Sequence, residues 1–527
     1  AHSFPTRRAS DLMKTGIGRW LQIEEGNRPM IIALLIQGVC TGVFAGVLEL
    51  EANAVFLETF GADRVPLGLM FSGAAGILIT TIYSYFSKQL GVKPFGILNL
   101  VAVLGITAVL VLAFRVLSTE QFDFAIFVLS GPLILITLMG FWITVKGFLS
   151  PSHSKQLSGL IDASLVGGMI FSFLATPLVV RWGVNLRHLL YVGMGSLLMA
   201  TFAQLYVLNY ISKFHHRFRK RVKSTGPLRL FSHRFTALIA GFVLLGVSVA
   251  VMLHYAFLWV TGNRFPGGIE LVTFLGYFAG ITLIVAWVMK RFLFGWIKKK
   301  MGLKTTLLLS PSLLLLLTLA AAVVGESYGF SGEAYLFTYF FWLVAGSRFL
   351  VLLLKESAED PSLHIIYQYL DPGERENVQS GVKGVLSQIG IFSAGLFLAC
   401  FVLISFVEIH HITYVIFIFL IAWIFAGLAL YRHYHRVLRL TLESDRKNDM
   451  AELQLTEALT DYLWKTAFPM EMLEFNPLFF HYSPRDHIIG LLNHPHTGVR
   501  RRVLDHLLQT SPVISELTVS QLLATEK

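Results

Sequence analysis

The sequence predicts an all-α polytopic membrane protein: twelve transmembrane helices in two parallel six-helix pseudo-repeats, followed by a short helical cytoplasmic tail. Three observations carry this expectation. Of 527 residues, 55% are hydrophobic and only 14% charged, against roughly a quarter charged in an ordinary soluble domain, and the mean hydropathy is +0.65. Apolar runs of spanning length recur along most of the chain. A helix needs about 20 such residues to cross a hydrocarbon core of about 30 Å, whereas the strands of an outer-membrane barrel are roughly ten residues of alternating character. Finally, the two halves of the chain resemble each other segment by segment.

Taken in order, His2 to Leu12 read HSFPTRRASDL, which resembles the translation of a widely used sequencing-adapter oligonucleotide. Residues 1–12 are therefore read as an artefact, with the natural start at Met13. The N-terminal half, 13–210, holds spans near 30–57, 66–87, 94–115, 122–149, 154–180 and 186–210. A central loop, 211–234, carries Lys213, Arg217, Arg219, Lys220, Arg221, Lys223, Arg229 and Arg234 and no acidic residue. The C-terminal half, 235–435, holds spans near 235–261, 269–290, 303–324, 333–356, 380–405 and 410–432.

The net charge of +11 is concentrated in short loops, a signature of topology more than of nucleic-acid binding, so no nucleic-acid partner is expected. The positive-inside rule places the central loop in the cytoplasm, together with the loops bearing Lys88 and Lys93, and Lys298 to Lys300 and Lys304. Both termini are then cytoplasmic, and the expected location is a bacterial inner (plasma) membrane. Arg181 and Arg187, on the opposite side, are exceptions. Cys40 and Cys400 lie inside apolar runs and offer neither a metal-ligand spacing nor a disulfide framework.

The internal repeat is the most informative feature. Lys88-Gln-Leu-Gly-Val-Lys93 matches Lys299-Lys-Met-Gly-Leu-Lys304. The stretch from Leu149 to Ser172 matches Leu370 to Ser393 at a constant offset, with Leu149/Leu370, Pro151/Pro372, Leu165/Leu386 and Ile170-Phe-Ser172/Ile391-Phe-Ser393 identical. An even number of spans per unit gives both copies one orientation, so the pseudo-axis runs along the membrane normal.

These halves, the long basic central loop and the Gly-plus-basic turn between the second and third span of each half resemble the major facilitator superfamily over about residues 28–435. More narrowly, FWITVKGFLSPSHSKQLSGLIDASLVGGMIFSF and LDPGERENVQSGVKGVLSQIGIFSAGLF resemble the corresponding segments of the ATP/ADP translocase type of nucleotide transporter. In the tail, 436–527, the stretch from Ile488 to Leu504 resembles a HEAT repeat: leucines closing one helix, a Pro-containing turn, then Val-Arg opening the next. About three repeats are needed for a stable solenoid, so the C-terminus is expected to be truncated, with a two-repeat cap as the alternative.

No Gly-x-x-x-x-Gly-Lys-Ser/Thr loop, Thr-Val-Gly-Tyr-Gly filter or His-Glu-x-x-His pair occurs. An ATP-driven pump, a potassium channel and a zinc hydrolase are therefore disfavoured; neither enzyme activity nor a cofactor is expected. Charges inside spans are the default candidates for function. Asp162 and Lys383 occupy equivalent positions of the two repeats, on the fifth and eleventh spans. They are expected to pair across the pseudo-axis, either as a state-dependent site for a coupling ion or substrate group or as a permanent inter-half bridge. Gln379 and Ser387 flank Lys383 at four-residue spacing on one helical face, either as a cavity wall or as helix-to-helix hydrogen bonding. Lys146, Arg348 and Lys355 suit an anionic substrate through charge-assisted hydrogen bonds, with snorkelling as the alternative for Lys146 and Lys355.

On the first span Gln37, Thr41, Glu49 and Asn53 form a polar line. Glu49 and Glu51 are candidate proton-coupling carboxylates, or else groups at the external mouth, and their negative charge argues against ATP as substrate. Gly38, Gly42 and Gly46 have the spacing of a helix-packing face, and His254 is a packed histidine or a proton site. The translocase resemblance implies nucleotide exchange, without matching substrate residues one by one. The function expected is secondary active transport of a small organic solute, an anion or nucleotide being the candidate, by alternating access, with a coupling proton or counter-substrate. The alternative is a membrane-anchored interaction or sensing protein, in which the HEAT-like tail engages a protein partner.

Overall fold

The computed structural model describes residues 28–90, 92–148, 154–214, 234–328, 337–370, 372–403, 409–465 and 500. Residues 1–12, the central loop 215–233 and, apart from Arg500, the HEAT-like stretch 488–504 lie outside the described residues. The chain divides into two compact units, Ala1–Tyr434 and His435–Lys527.

Twelve helices are long and apolar enough to cross a membrane. They are α1 (Pro29–Phe60), α2 (Val65–Ser87), α3 (Pro94–Val116), α4 (Thr119–Val145), α5 (Leu157–Arg181), α6 (Leu186–Asn209), α7 (Arg234–Arg264), α8 (Gly268–Lys290), α9 (Gly302–Ser327), α10 (Phe337–Tyr367), α11 (Val378–Val402) and α12 (His411–Arg439). All twelve expected spans are present. The last described helix runs Ile409–Lys465. Successive spans alternate in direction, so the end where α6 stops and α7 starts defines one side, termed the loop side; the opposite is the far side.

Two boundaries differ from expectation. Instead of a loop between the eighth and ninth spans, helix continues from Gly268 to Tyr328, broken only at Gly302, whose φ of 73° lies in the left-handed region that a glycine enters without steric cost. The tenth span, expected to end near 356, continues to Tyr367 through a π turn at Lys355–Glu359. A second π turn, Val382–Leu386, interrupts the helix of α11, and Ser387 Oγ donates to the Val382 carbonyl across it at 2.9 Å. Such turns are single-turn insertions common at functional sites.

Lipid is as apolar as leucine, so helices in a membrane associate mainly through close packing of small residues and through hydrogen bonds. The N-terminal half is organised on α1, which packs against α4, α5 and α6. Gly42 lies directly on α5: a Cβ at this position would come 2.1 Å from the Leu165 carbonyl oxygen, and one at Gly168 2.2 Å from that of Val39. Gly38 and Gly46 face Ser164 and Ser172 in the same way, so the expected glycine face is the α1–α5 seam. Ala33, Leu34, Phe141, Val145, Ile161, Leu165 and Val207 close a core behind it.

In the C-terminal half α7 packs against α10 and α11, with Trp423 of α12 lying on Gly246. The most apolar windows of α1 and α7 are 67% and 61% buried, those of α3 and α12 28%; α1 and α7 are therefore central and α3 and α12 peripheral. Hydroxyls within spans donate to carbonyls one turn earlier, as Thr107 to Val103 and Thr137 to Leu133, which satisfies them where water is absent.

The halves meet most extensively at two helix pairs, α2 with α11 and α5 with α8, with lesser contacts of α1 to α7. Both main contacts use glycine on the far-side part of the spans. A Cβ at Gly73 would lie 2.3 Å from the Phe392 backbone nitrogen, and one at Gly276 2.6 Å from the Phe173 carbonyl oxygen.

Candidate functional site

Glu49, His254 and Arg348 come from α1, α7 and α10 and face one another between the halves. Counted from Phe60, Arg264 and Phe337, the far-side ends of their spans, the three lie at the same depth to within one residue. Each keeps part of its surface accessible; Glu49 and His254 do so between buried neighbours, Arg348 beside the buried Ser347. Arg348 is within electrostatic reach of both Glu49 and His254. Among the described residues no ion pair closes between Glu49 and Arg348. Asn53 donates to the Glu49 backbone carbonyl at 2.7 Å. Gln37, further along the line, donates instead to Gln204 of α6 at 2.8 Å and belongs to the packing of the N-terminal half.

The loop-side charges are arranged differently from expectation. Asp162 pairs with Lys290 of α8 at 3.0 Å, and Lys290 also reaches Glu356 of α10 at 3.5 Å. Lys383 pairs with Asp360 of α10 at 3.1 Å. In this conformation the expected Asp162–Lys383 pair is not formed. The reason lies in packing: α5 lies on α8 and α11 on α2 and α7, so positions related by the repeat fall in different helix contacts. Gln379 bonds with His364 at 3.2 Å, so Gln379 and Lys383 are engaged with α10 and Ser387 with its own π turn.

Lys355 opens the π turn of α10, within electrostatic reach of Glu359 and Asp360. The Lys146 side chain lies outside the described residues. Lys290, Glu356 and Asp360 escaped the sequence reading. The signal available for Lys290 was its charge at the end of a predicted span.

A third group lies in the far-side part of the N-terminal half. Arg187 donates to Asp123 through Nε at 2.9 Å and Nη2 at 2.6 Å, and Thr59 Oγ1 donates to the same carboxylate. Asp123 is 0% exposed. The exception to the positive-inside pattern at Arg187 is thus an ion pair required by a buried carboxylate. No cluster of three or more metal-ligating side chains occurs among the described residues.

No protein family and no curated protein matches the sequence. Solved structures do match. The crystal structure of a point mutant of nucleoside transporter NupG covers 76% of this chain and 100% of its own, with a TM-score of 0.57 and 12% sequence identity. A second crystal structure of nucleoside transporter NupG covers 77% and 99%, with a TM-score of 0.54 and 13% identity. The protein is therefore an integral membrane protein of twelve apolar helices that shares its fold with nucleoside transporter NupG.

Proposed function

We propose that the protein is a secondary transporter of a polar organic solute without net charge, with nucleosides as the first candidates, working by alternating access. The observation that carries this reading is the opposition of Glu49 on one half and Arg348 on the other, within electrostatic reach of each other but not closed into an ion pair. A carboxylate accepts from sugar hydroxyls and a guanidinium donates to base carbonyls, so the two suit a nucleoside. One carboxylate against one guanidinium leaves no surplus positive charge for a nucleotide polyphosphate, which moves the expectation away from an anion. The orientation supported by charge puts the loop side in the cytoplasm of a bacterial inner membrane. The likeness to nucleoside transporter NupG supports the nucleoside class.

The test is counterflow in proteoliposomes preloaded with uridine, adenosine, ATP or a dicarboxylate. Saturable exchange of a nucleoside, but not of ATP, is the expected result. Glu49→Gln and Arg348→Ala should each weaken it by about tenfold to hundredfold, since a hydrogen bond to a charged group contributes about 1.5–3 kcal/mol. Counterflow of ATP alone would contradict the proposal.

A further inference from the structure

Glu51 lies two residues beyond Glu49. At about 100° per residue it points to the other side of α1, away from Arg348 and into the N-terminal half. Its side chain is 0% exposed, and neither carboxylate oxygen has a hydrogen-bond partner among the described residues. The charged groups within its electrostatic reach are Asp123 of α4 and Arg187 at the start of α6. Arg187 in turn feels Glu58, but its guanidinium is committed by two hydrogen bonds to Asp123. Two buried carboxylates, Glu51 and Asp123, therefore share one guanidinium, which also feels the exposed Glu58, and Asp123 holds it. An ionised carboxylate without water, donor or counter-charge is strongly disfavoured inside a helical bundle. A neutral carboxyl at the same position needs only a partner for its hydroxyl.

We propose that Glu51 is a proton-binding site, separate from the central solute site. In the conformation seen here the proton sits on the Glu51 carboxyl while Asp123 keeps Arg187. Loss of that proton leaves a carboxylate that competes with Asp123 for the guanidinium, so proton release is linked to movement of Arg187 at the far-side end of α6. Thr59, which donates to Asp123, follows the same rearrangement. That the proton is the coupling ion of transport rests on the proposed function; that Glu51 binds it does not.

The experiment is infrared difference spectroscopy on the full-length protein in lipid, comparing wild type with E51Q at neutral pH. The carbonyl band of a protonated carboxylic acid is expected in wild type and absent from E51Q, whose amide imitates the neutral acid and should preserve folding. D123N supplies a second reading without altering Glu51. It frees Arg187 for Glu51, the remaining buried carboxylate in its reach, the other, Glu58, being exposed, and the band should disappear there as well. A band absent from wild type, unchanged in E51Q or retained in D123N would overturn the assignment. So would a band removed by sodium at constant pH, which would make the site a metal-cation site.

In proteoliposomes, stimulation of nucleoside uptake by an inward proton gradient should be present in wild type and lost in E51Q, with counterflow retained. Wild-type liposomes that carry no nucleoside would refute the transport reading and leave the infrared result standing. Uptake stimulated equally in both proteins would remove Glu51 from coupling.

Discussion

At the scale of single residues, charges inside the spans are the informative features, and their partners decide what they mean. Asp123 is fully buried and depends on Arg187. Removing one member of a buried pair typically costs about 3–5 kcal/mol, because an uncompensated charge remains. Arg187→Gln should therefore lower the melting temperature of the purified protein sharply, and Arg187→Gln with Asp123→Asn should recover most of the loss. Two additive single effects would show that the pair is not coupled. On the loop side, a double-mutant cycle should find coupling between Asp162 and Lys290, while the Asp162 and Lys383 cycle should be additive. The presence of Asp162, Lys383 and Arg348 as intramembrane charges was legible in the sequence. Their partners were not, because pairing is set by which spans touch, and hydropathy contains no record of neighbours.

At the scale of elements, a bilayer forces each crossing into a helix with its backbone bonds satisfied internally, so twelve apolar runs translated directly into twelve helices. The α1 glycines were legible for a related reason: a small residue every fourth position has one use in a membrane, close approach of a second helix. The helical continuity across Gly302 and the π turns left no comparable trace. The α1–α5 seam is tight enough that Gly42→Leu should abolish recovery of folded protein, since its Cβ would meet backbone rather than a movable side chain. Gly276 is a different case, because its partners Phe173 and Pro177 belong to the other half. A leucine there should obstruct far-side closure and shift the population towards a far-side-open form. Reagent access from that side would then increase; unchanged access would contradict the role of this contact.

At the scale of the whole molecule, the repeat foretold two halves of one orientation. Their main contacts are α2–α11 and α5–α8, while Glu49, His254 and Arg348 come from α1, α7 and α10. The basic central loop predicts that a cysteine at Thr225, and another at Asp449, reacts only from the cytoplasmic side. Labelling of either from outside would reverse the orientation. Alternating access makes a stricter demand: the depth shared by Glu49, His254 and Arg348 must be reachable from one side at a time. The most direct measurement is therefore the modification of His254→Cys, with Cys40 and Cys400 replaced, by a membrane-impermeant thiol reagent applied to one side and then to the other. The account predicts reaction from each side, slowed by a transported nucleoside on both. A cysteine reached from neither side, or from one side only under every condition, would contradict it.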